Sequence, residues 1–205
     1  MNADGSRPTA YNVEAKLLAQ AHGAPVVLLN DQVELMFGHI WQWMNRLLNK
    51  PVVQIGKESN GKPVYETYYV RPFMAALTCE AMIQWAGDDM TRIRRVLAAI
   101  QPFWDQLWYM CWLPDSKSMM YTNCLTSAFS SDIPGYNTGD QQPSPDLNLL
   151  ISPVFAWMYK WTGQVGYRDK HDSLFIGGVN QADITQGKQF NQNYRWSIQG
   201  LEWRG

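Results

Sequence analysis

The stretch that decides the fold runs from Leu147-Asn148-Leu149-Leu150-Ile151-Ser152-Pro153-Val154-Phe155 through Ala156-Trp157-Met158-Tyr159-Lys160-Trp161-Thr162-Gly163. Leu147, Leu150, Ile151, Val154, Phe155, Met158 and Trp161 recur three or four residues apart, the spacing of one helix face. Ser152-Pro153 reads as a cap followed by a first helical residue. Gly163 offers the left-handed conformation that ends a helix, and a return helix is expected from Tyr167 to Val179. The pattern Met158-x-x-Trp161-x-Gly163-x-x-x-x-Arg168, then Ile176, also occurs as Met82-x-x-Trp85-x-Gly87-x-x-x-x-Arg92, then Ile100, an offset of 76 residues (82 to 158). Each copy reads as a helix, a glycine stop, a short turn and a returning helix. A lone helix pair cannot cover its own apolar face, so such units stack side by side.

Working outward, Val33, Met36, Phe37, Ile40, Met44, Leu47 and Leu48 form an earlier stripe, with Asp31 placed to cap it and Pro51 to stop it. A turn-rich stretch follows, with Asn60-Gly61 as its strongest signal; it is a small hairpin or a long loop. Helices are expected from Tyr68 to Trp85 and from Ile93 to Cys111. In the latter, Pro102 falls within an unbroken stripe and predicts a kink rather than a break. Residues 115–146 carry no apolar period and read as a long loop, the kind that is often functional. A last helix is expected over Asn191 to Trp203.

Composition narrows the classes. The chain has 205 residues, 46% hydrophobic and 17% charged, which excludes a disordered tail. Lys plus Arg number 17 against 18 Asp plus Glu, so no basic excess exists to neutralise phosphates and no nucleic-acid partner is expected. No apolar run is long enough for a membrane span, so no membrane partner is expected. Met1 to Tyr11 lacks a signal pattern; a secreted or periplasmic location stays open if a leader has been removed. Cys79, Cys111 and Cys124 are an odd set without C-x-x-C spacing and read as buried free thiols. No metal-protease, nucleophile-elbow, dinucleotide or phosphate-loop motif is present, and no cofactor or metal is expected. The unusual count is 10 Trp, 10 Tyr and 7 Phe: such rings fill cores and also build stacking platforms.

The segment Ala156 to Gly163, continuing to Tyr167 and Asp172-Ser173-Leu174-Phe175, resembles a helical hairpin of the (α/α) toroid enzymes, a group with many glycoside hydrolases and polysaccharide lyases. An aromatic-x-x-Thr-Gly-Asp turn often joins their outer and inner helices; here Gln164 stands where that acid is usual. The resemblance implies an all-α fold, residues 1–205 forming one domain of stacked antiparallel helical hairpins that make a partial (α/α) toroid. A complete toroid needs more helices than this chain supplies. Either the chain is a portion of a larger toroid, or it is an open arc whose apolar ends recruit a second copy as a homodimer. The implied function is a carbohydrate-active enzyme, a glycoside hydrolase or polysaccharide lyase acting on a polysaccharide or oligosaccharide. The alternative is a non-catalytic helical scaffold or oligomerising interaction protein; a small-molecule enzyme with a hydrophobic cleft is a weaker third reading.

Two clusters suit that chemistry. Lys188, Gln189, Asn191, Asn193, Tyr194, Arg195 and Trp196 combine amides and a guanidinium, which bond hydroxyls in planar forks, with flat apolar rings. The same stretch also reads as a polar helix start, with Asn191 capping and Tyr194 and Trp196 entering the core. The second cluster comprises Asp132, Tyr136, Asn137, Asp140, Asp146 and Asn148. Glycoside hydrolysis uses two carboxyl groups roughly 5–9.5 Å apart. Asp140 and Asp146 are the candidate catalytic acids, although Asp146 also suits a plain helix cap. Tyr194 is the candidate proton-abstracting group of a lyase, with Arg195 pairing a uronate carboxylate. Tyr136, Asn148, Lys188, Gln189, Asn191, Asn193, Arg195 and Trp196 are the candidate substrate-binding residues. His39 reads as a core histidine, and His171-Asp172 as no metal pair.

Overall fold

A computed structural model describes residues 6–49, 52–67, 69–122, 142–183 and 193–205. The described chain is all-α, with seven helices: α1 (Ser6–Ala21), α2 (Leu29–Gln42), α3 (Pro72–Ala86), α4 (Met90–Cys111), α5 (Asn148–Thr162), α6 (Val165–Gln181) and α7 (Ser197–Arg204). A π-helical turn, Trp43–Leu47, prolongs α2, and a 3-10 turn, Pro145–Leu147, leads into α5. Two small antiparallel hairpins complete it: β1 (Val52–Lys57) with β2 (Pro63–Thr67), and β3 (Trp112–Leu113) with β4 (Ser118–Met119).

Both glycine stops are real. Gly87 (φ 53°) ends α3 and Gly163 (φ 68°) ends α5, a backbone region that side chains resist and glycine does not. Asp89 then caps α4, its Oδ1 accepting from Thr91 N at 2.8 Å and Arg92 N at 3.1 Å. Across this turn the Arg92 guanidinium lies 4.9 Å over the Trp85 ring and donates to the Trp85 carbonyl at 3.1 Å. In the second hairpin Arg168 lies over Tyr159 at 5.8 Å. A third left-handed glycine, Gly23 (φ 76°), follows α1.

Helix pairs α1–α2, α3–α4 and α5–α6 pack against each other, while α1 meets α3, α3 meets α5, and α5 meets α7. Alternate helices therefore form one row, and α2, α4 and α6 lie against it. Helices α3 and α5 sit in the middle and are apolar all round, as fully enclosed helices are: most of their residues are buried. One core joins them, from Ala10 and Val13 of α1 to Trp196. Trp104 is fully buried and donates to Cys79 Sγ at 3.2 Å; Cys79 and Cys111 are free, buried thiols, and Cys124 lies outside the described residues.

Several boundaries differ from expectation. Helix α2 begins at Leu29, so Asp31 lies in its first turn rather than at its cap. Helix α3 begins at Pro72, later than Tyr68, because proline suits a first helical turn where no N–H is needed. Ser152-Pro153 lies inside α5, not at its start; Asn193 supplies the cap from far along the chain, its Oδ1 accepting from Leu149 N at 2.7 Å. Pro102 is indeed within a continuous α4, on its exposed side, where the lost backbone bond costs least. No described helix is long and apolar enough to cross a membrane.

Short turns (87–89 and 163–164) join the helices of each hairpin at one end of the stack. The opposite end receives the long connections that lead into α3, α5 and α7. Long connections of this kind are where binding residues concentrate.

Candidate functional site

The chemistry-bearing residues that converge most tightly are Glu14 on α1, Glu80 on α3 and Arg195 just before α7. Glu80 is the only charged residue of the largely apolar helix α3, and the helix packing leaves it 2% exposed. A carboxylate cannot sit there alone. Arg195 supplies the partner: its Nε donates to Glu80 Oε1 at 3.0 Å, and its Nη2 donates to Glu14 Oε2. Gln84, one turn along α3, donates from Nε2 to Glu80 Oε1 at 3.3 Å. The Tyr11 ring lies 5.1 Å from the guanidinium carbon and adds a cation–π contact.

Two acids thus share one base. Burial pushes the Glu80 carboxyl up to about 7, with the Glu14 charge adding to the rise and Arg195 opposing it. Glu14 is also raised, by burial first, again against Arg195. One oxygen of each carboxyl, Glu14 Oε1 and Glu80 Oε2, is buried without a hydrogen-bond partner among the described residues. An open groove of about 480 Å³ lies alongside, lined by Tyr11, Glu14, Ala15, Leu18, Gln84 and Arg195. Glu14 is on its wall; Glu80 stands behind Arg195. The groove therefore offers a ring, an apolar edge, an amide and a carboxyl with raised proton affinity.

The other candidates are distributed differently. Asp140, Tyr136, Lys188, Gln189 and Asn191, with Asp132 and Asn137, lie outside the described residues. Asp146 is half-buried in the 3-10 turn before α5; no hydrogen bond or ion pair joins it to the Arg195 cluster among the described residues. Asn148 is fully buried and works as a clasp: Nδ2 donates to the Lys117 carbonyl at 2.8 Å, and Oδ1 accepts from Met119 N at 3.2 Å and Ser118 Oγ at 3.3 Å. Asn193 caps α5 as described above. Trp196 is buried and donates from Nε1 to the Leu150 carbonyl at 2.8 Å. Tyr194 is half-buried beside Arg195. Of the described residues among these, Arg195 alone lines the groove.

Of the three histidines, His39 and His171 are buried and His22 is exposed. His39 is held below its usual pKa by burial. His171, also lowered chiefly by burial, has Nδ1 3.0 Å from the Ser152 carbonyl. Among the described residues no group of three His, Cys, Asp or Glu gathers to hold a metal ion.

No family model, no curated protein and no solved structure matches this chain.

The site residues that sequence reasoning missed are Glu14 and Glu80. Glu80 had a signal: it is the sole charged residue in the apolar run Pro72–Ala86, and such a charge needs a partner from elsewhere in the chain.

Proposed function

We propose that the chain is a carbohydrate-active protein that binds a polysaccharide along the α1 groove and hydrolyses it there. One observation carries this reading: Tyr11, Gln84 and Glu14, whose carboxyl burial raises above its ordinary pKa, share the wall of a single open groove. A sugar needs a ring for its C–H face, hydrogen-bonding groups for its hydroxyls, and, for cleavage, a carboxyl whose proton affinity is raised above that of a free acid. Alternate-helix packing and the glycine-ended hairpins support the partial-toroid resemblance on which the class rests.

Hydrolysis fits better than uronate elimination. Arg195, which a lyase would use to pair a uronate, is committed to two protein carboxyls. Glu14 is the proton donor in this scheme. Its proton passes to the glycosidic oxygen as the C–O bond breaks, and the oxygen of a water molecule bonds to the anomeric carbon and gives up its own proton to a second carboxyl. Asp140 and Asp146, the acids expected from the sequence, are the residues to substitute in seeking that second carboxyl, although Asp146 is not on the groove wall and Asp140 lies outside the described residues. Arg195 holds Glu14 in place, and Glu80 sets the charge behind it.

The test is reducing-end release on a panel of neutral, amino and acidic polysaccharides, with absorbance of unsaturated uronates read in parallel and sugar binding by calorimetry. Release that is lost in Glu14→Gln supports the proposal. Silence across the panel together with no binding rejects it.

A second reading, a non-catalytic helical scaffold, is favoured by a specific observation: Asn148, Asn193 and Trp196 are spent on holding segments to α5. A second copy of the chain is its proposed partner, and a monomeric mass by light scattering at micromolar concentration counts against it.

A further inference from the structure

We propose that the outward face of α2 docks a second copy of this chain, the two α2 helices lying antiparallel across a two-fold axis at Gly38. The proposal gives the second copy of the scaffold reading its place of contact, and it does not involve the α1 groove.

Exposure is the first argument. Of the ten tryptophans, Trp41 alone is exposed, at 68%, and Leu35 is 53% exposed. They flank Gly38 on α2, each three residues from it, while Val33, Met36 and Ile40 enter the core from the opposite side of the helix. Large apolar side chains gathered on one exposed face mark an interaction surface.

The glycine is the second argument. Gly38 has no positive φ, and a Cβ there would meet nothing within 4 Å. Nothing inside the chain requires a glycine at this position, and straight-chain residues favour a helix more. A bare backbone between two exposed apolar side chains lets another helix approach closely.

Charge complementarity names the occupant. Exposed Asp31 stands in the first turn of α2, and exposed Arg46 stands in the π-helical turn that prolongs it. Between them, Glu34 is already neutralised within the chain, its Oε1 accepting from Arg95 Nη1 at 2.7 Å. When a copy is turned end for end about Gly38, Leu35 of one lies level with Trp41 of the other. Glu34 then lies level with Gln42, and Asp31 with Asn45 and Arg46. Aliphatic meets aromatic, carboxylate meets amide and acid meets base, each twice, as a self-complementary two-fold contact requires. A parallel copy would instead set Asp31 against Asp31 and Arg46 against Arg46.

The experiment is sedimentation equilibrium of the full chain from about 1 to about 100 μM, the range suited to a small interface. The mass should rise from 23.6 kDa towards twice that value, and acrylamide quenching of the exposed tryptophan should fall over the same range. Trp41→Ala should weaken association about tenfold or more, the effect of a central aromatic anchor. Gly38→Gln should weaken it as well, yet keep or raise the urea midpoint, a split that a folding defect would not produce. Asp31→Arg should weaken association, and adding Arg46→Asp to that variant should restore it, since the crossed pairs re-form with their signs exchanged. A monomer at every concentration overturns a second copy as the occupant, here and in the scaffold reading. A dimer indifferent to Gly38→Gln and Trp41→Ala overturns the α2 face and leaves the second-copy reading standing. A dimer weakened by Asp31→Arg but not restored by Arg46→Asp overturns the antiparallel arrangement.

Discussion

Gly177 and Gly166 both lie in α6, and replacing each by alanine should have opposite effects. A Cβ at Gly166 meets nothing within 4 Å, whereas a Cβ at Gly177 would stand 1.9 Å from the Lys117 carbonyl oxygen and 2.9 Å from Asn148 Nδ2. Alanine in an open helical position gains about 0.5–1 kcal/mol over glycine. At Gly177 that gain is set against overpacking, about 1–3 kcal/mol. The Asn148 Nδ2 bond to the Lys117 carbonyl, 2.8 Å, must also shift, at about 1 kcal/mol. The net expectation is a loss of about 2–3 kcal/mol for Gly177→Ala, because backbone, unlike a flexible side chain, cannot swing aside. Urea unfolding followed by tryptophan fluorescence should show a midpoint lower by about 1 M for Gly177→Ala, given a slope of about 2–3 kcal/mol/M. Gly166→Ala should match or exceed the parent. Equal midpoints for the two variants would refute the close packing of α6 against the β3–β4 turn.

Three further outcomes follow from the same packing. Because the Glu80 carboxyl is pushed up to about 7 from an ordinary 4.5, the folded state holds more protons than the unfolded one between those values. Stability should therefore fall as pH rises through that window; in Glu80→Gln the slope should flatten, read from urea midpoints at pH 5 and pH 8, and an unchanged slope would count against the buried acid. Trp196→Phe removes the bond to the Leu150 carbonyl and leaves that acceptor buried, so a loss of about 1–3 kcal/mol in the same assay is expected. The Cys79 thiol, pushed up to about 12 by burial, should resist alkylation in the native protein and label only on unfolding; rapid native labelling of its peptide, seen by mass spectrometry, would contradict its burial.

What the sequence disclosed follows from how each helix meets water. Helix α4 keeps one face wet, and its stripe was plain from Ile93 to Cys111. Gly87 and Gly163 were legible because a left-handed stop has few substitutes. Helix α1 buries Ser6, Ala10 and Val13, residues too small or polar to form a legible stripe, so of the first hairpin the sequence shows only α2. Helix α5 is enclosed on all sides; with no polar face to mark its start, Pro153 was mistaken for one. The Arg195 cluster was half legible. The arginine stood in a conspicuous polar stretch, but its partners lie 181 and 115 residues away, and nothing local announces a pairing across that span.

Arg195 also changes how this array should come apart. Stacked hairpins that touch only their neighbours can peel from either end, one unit at a time. Here the lead-in to the last helix is fastened to the first, so unravelling at one margin must first undo a knot shared with the other. The protein is a buckled belt rather than a loose strip.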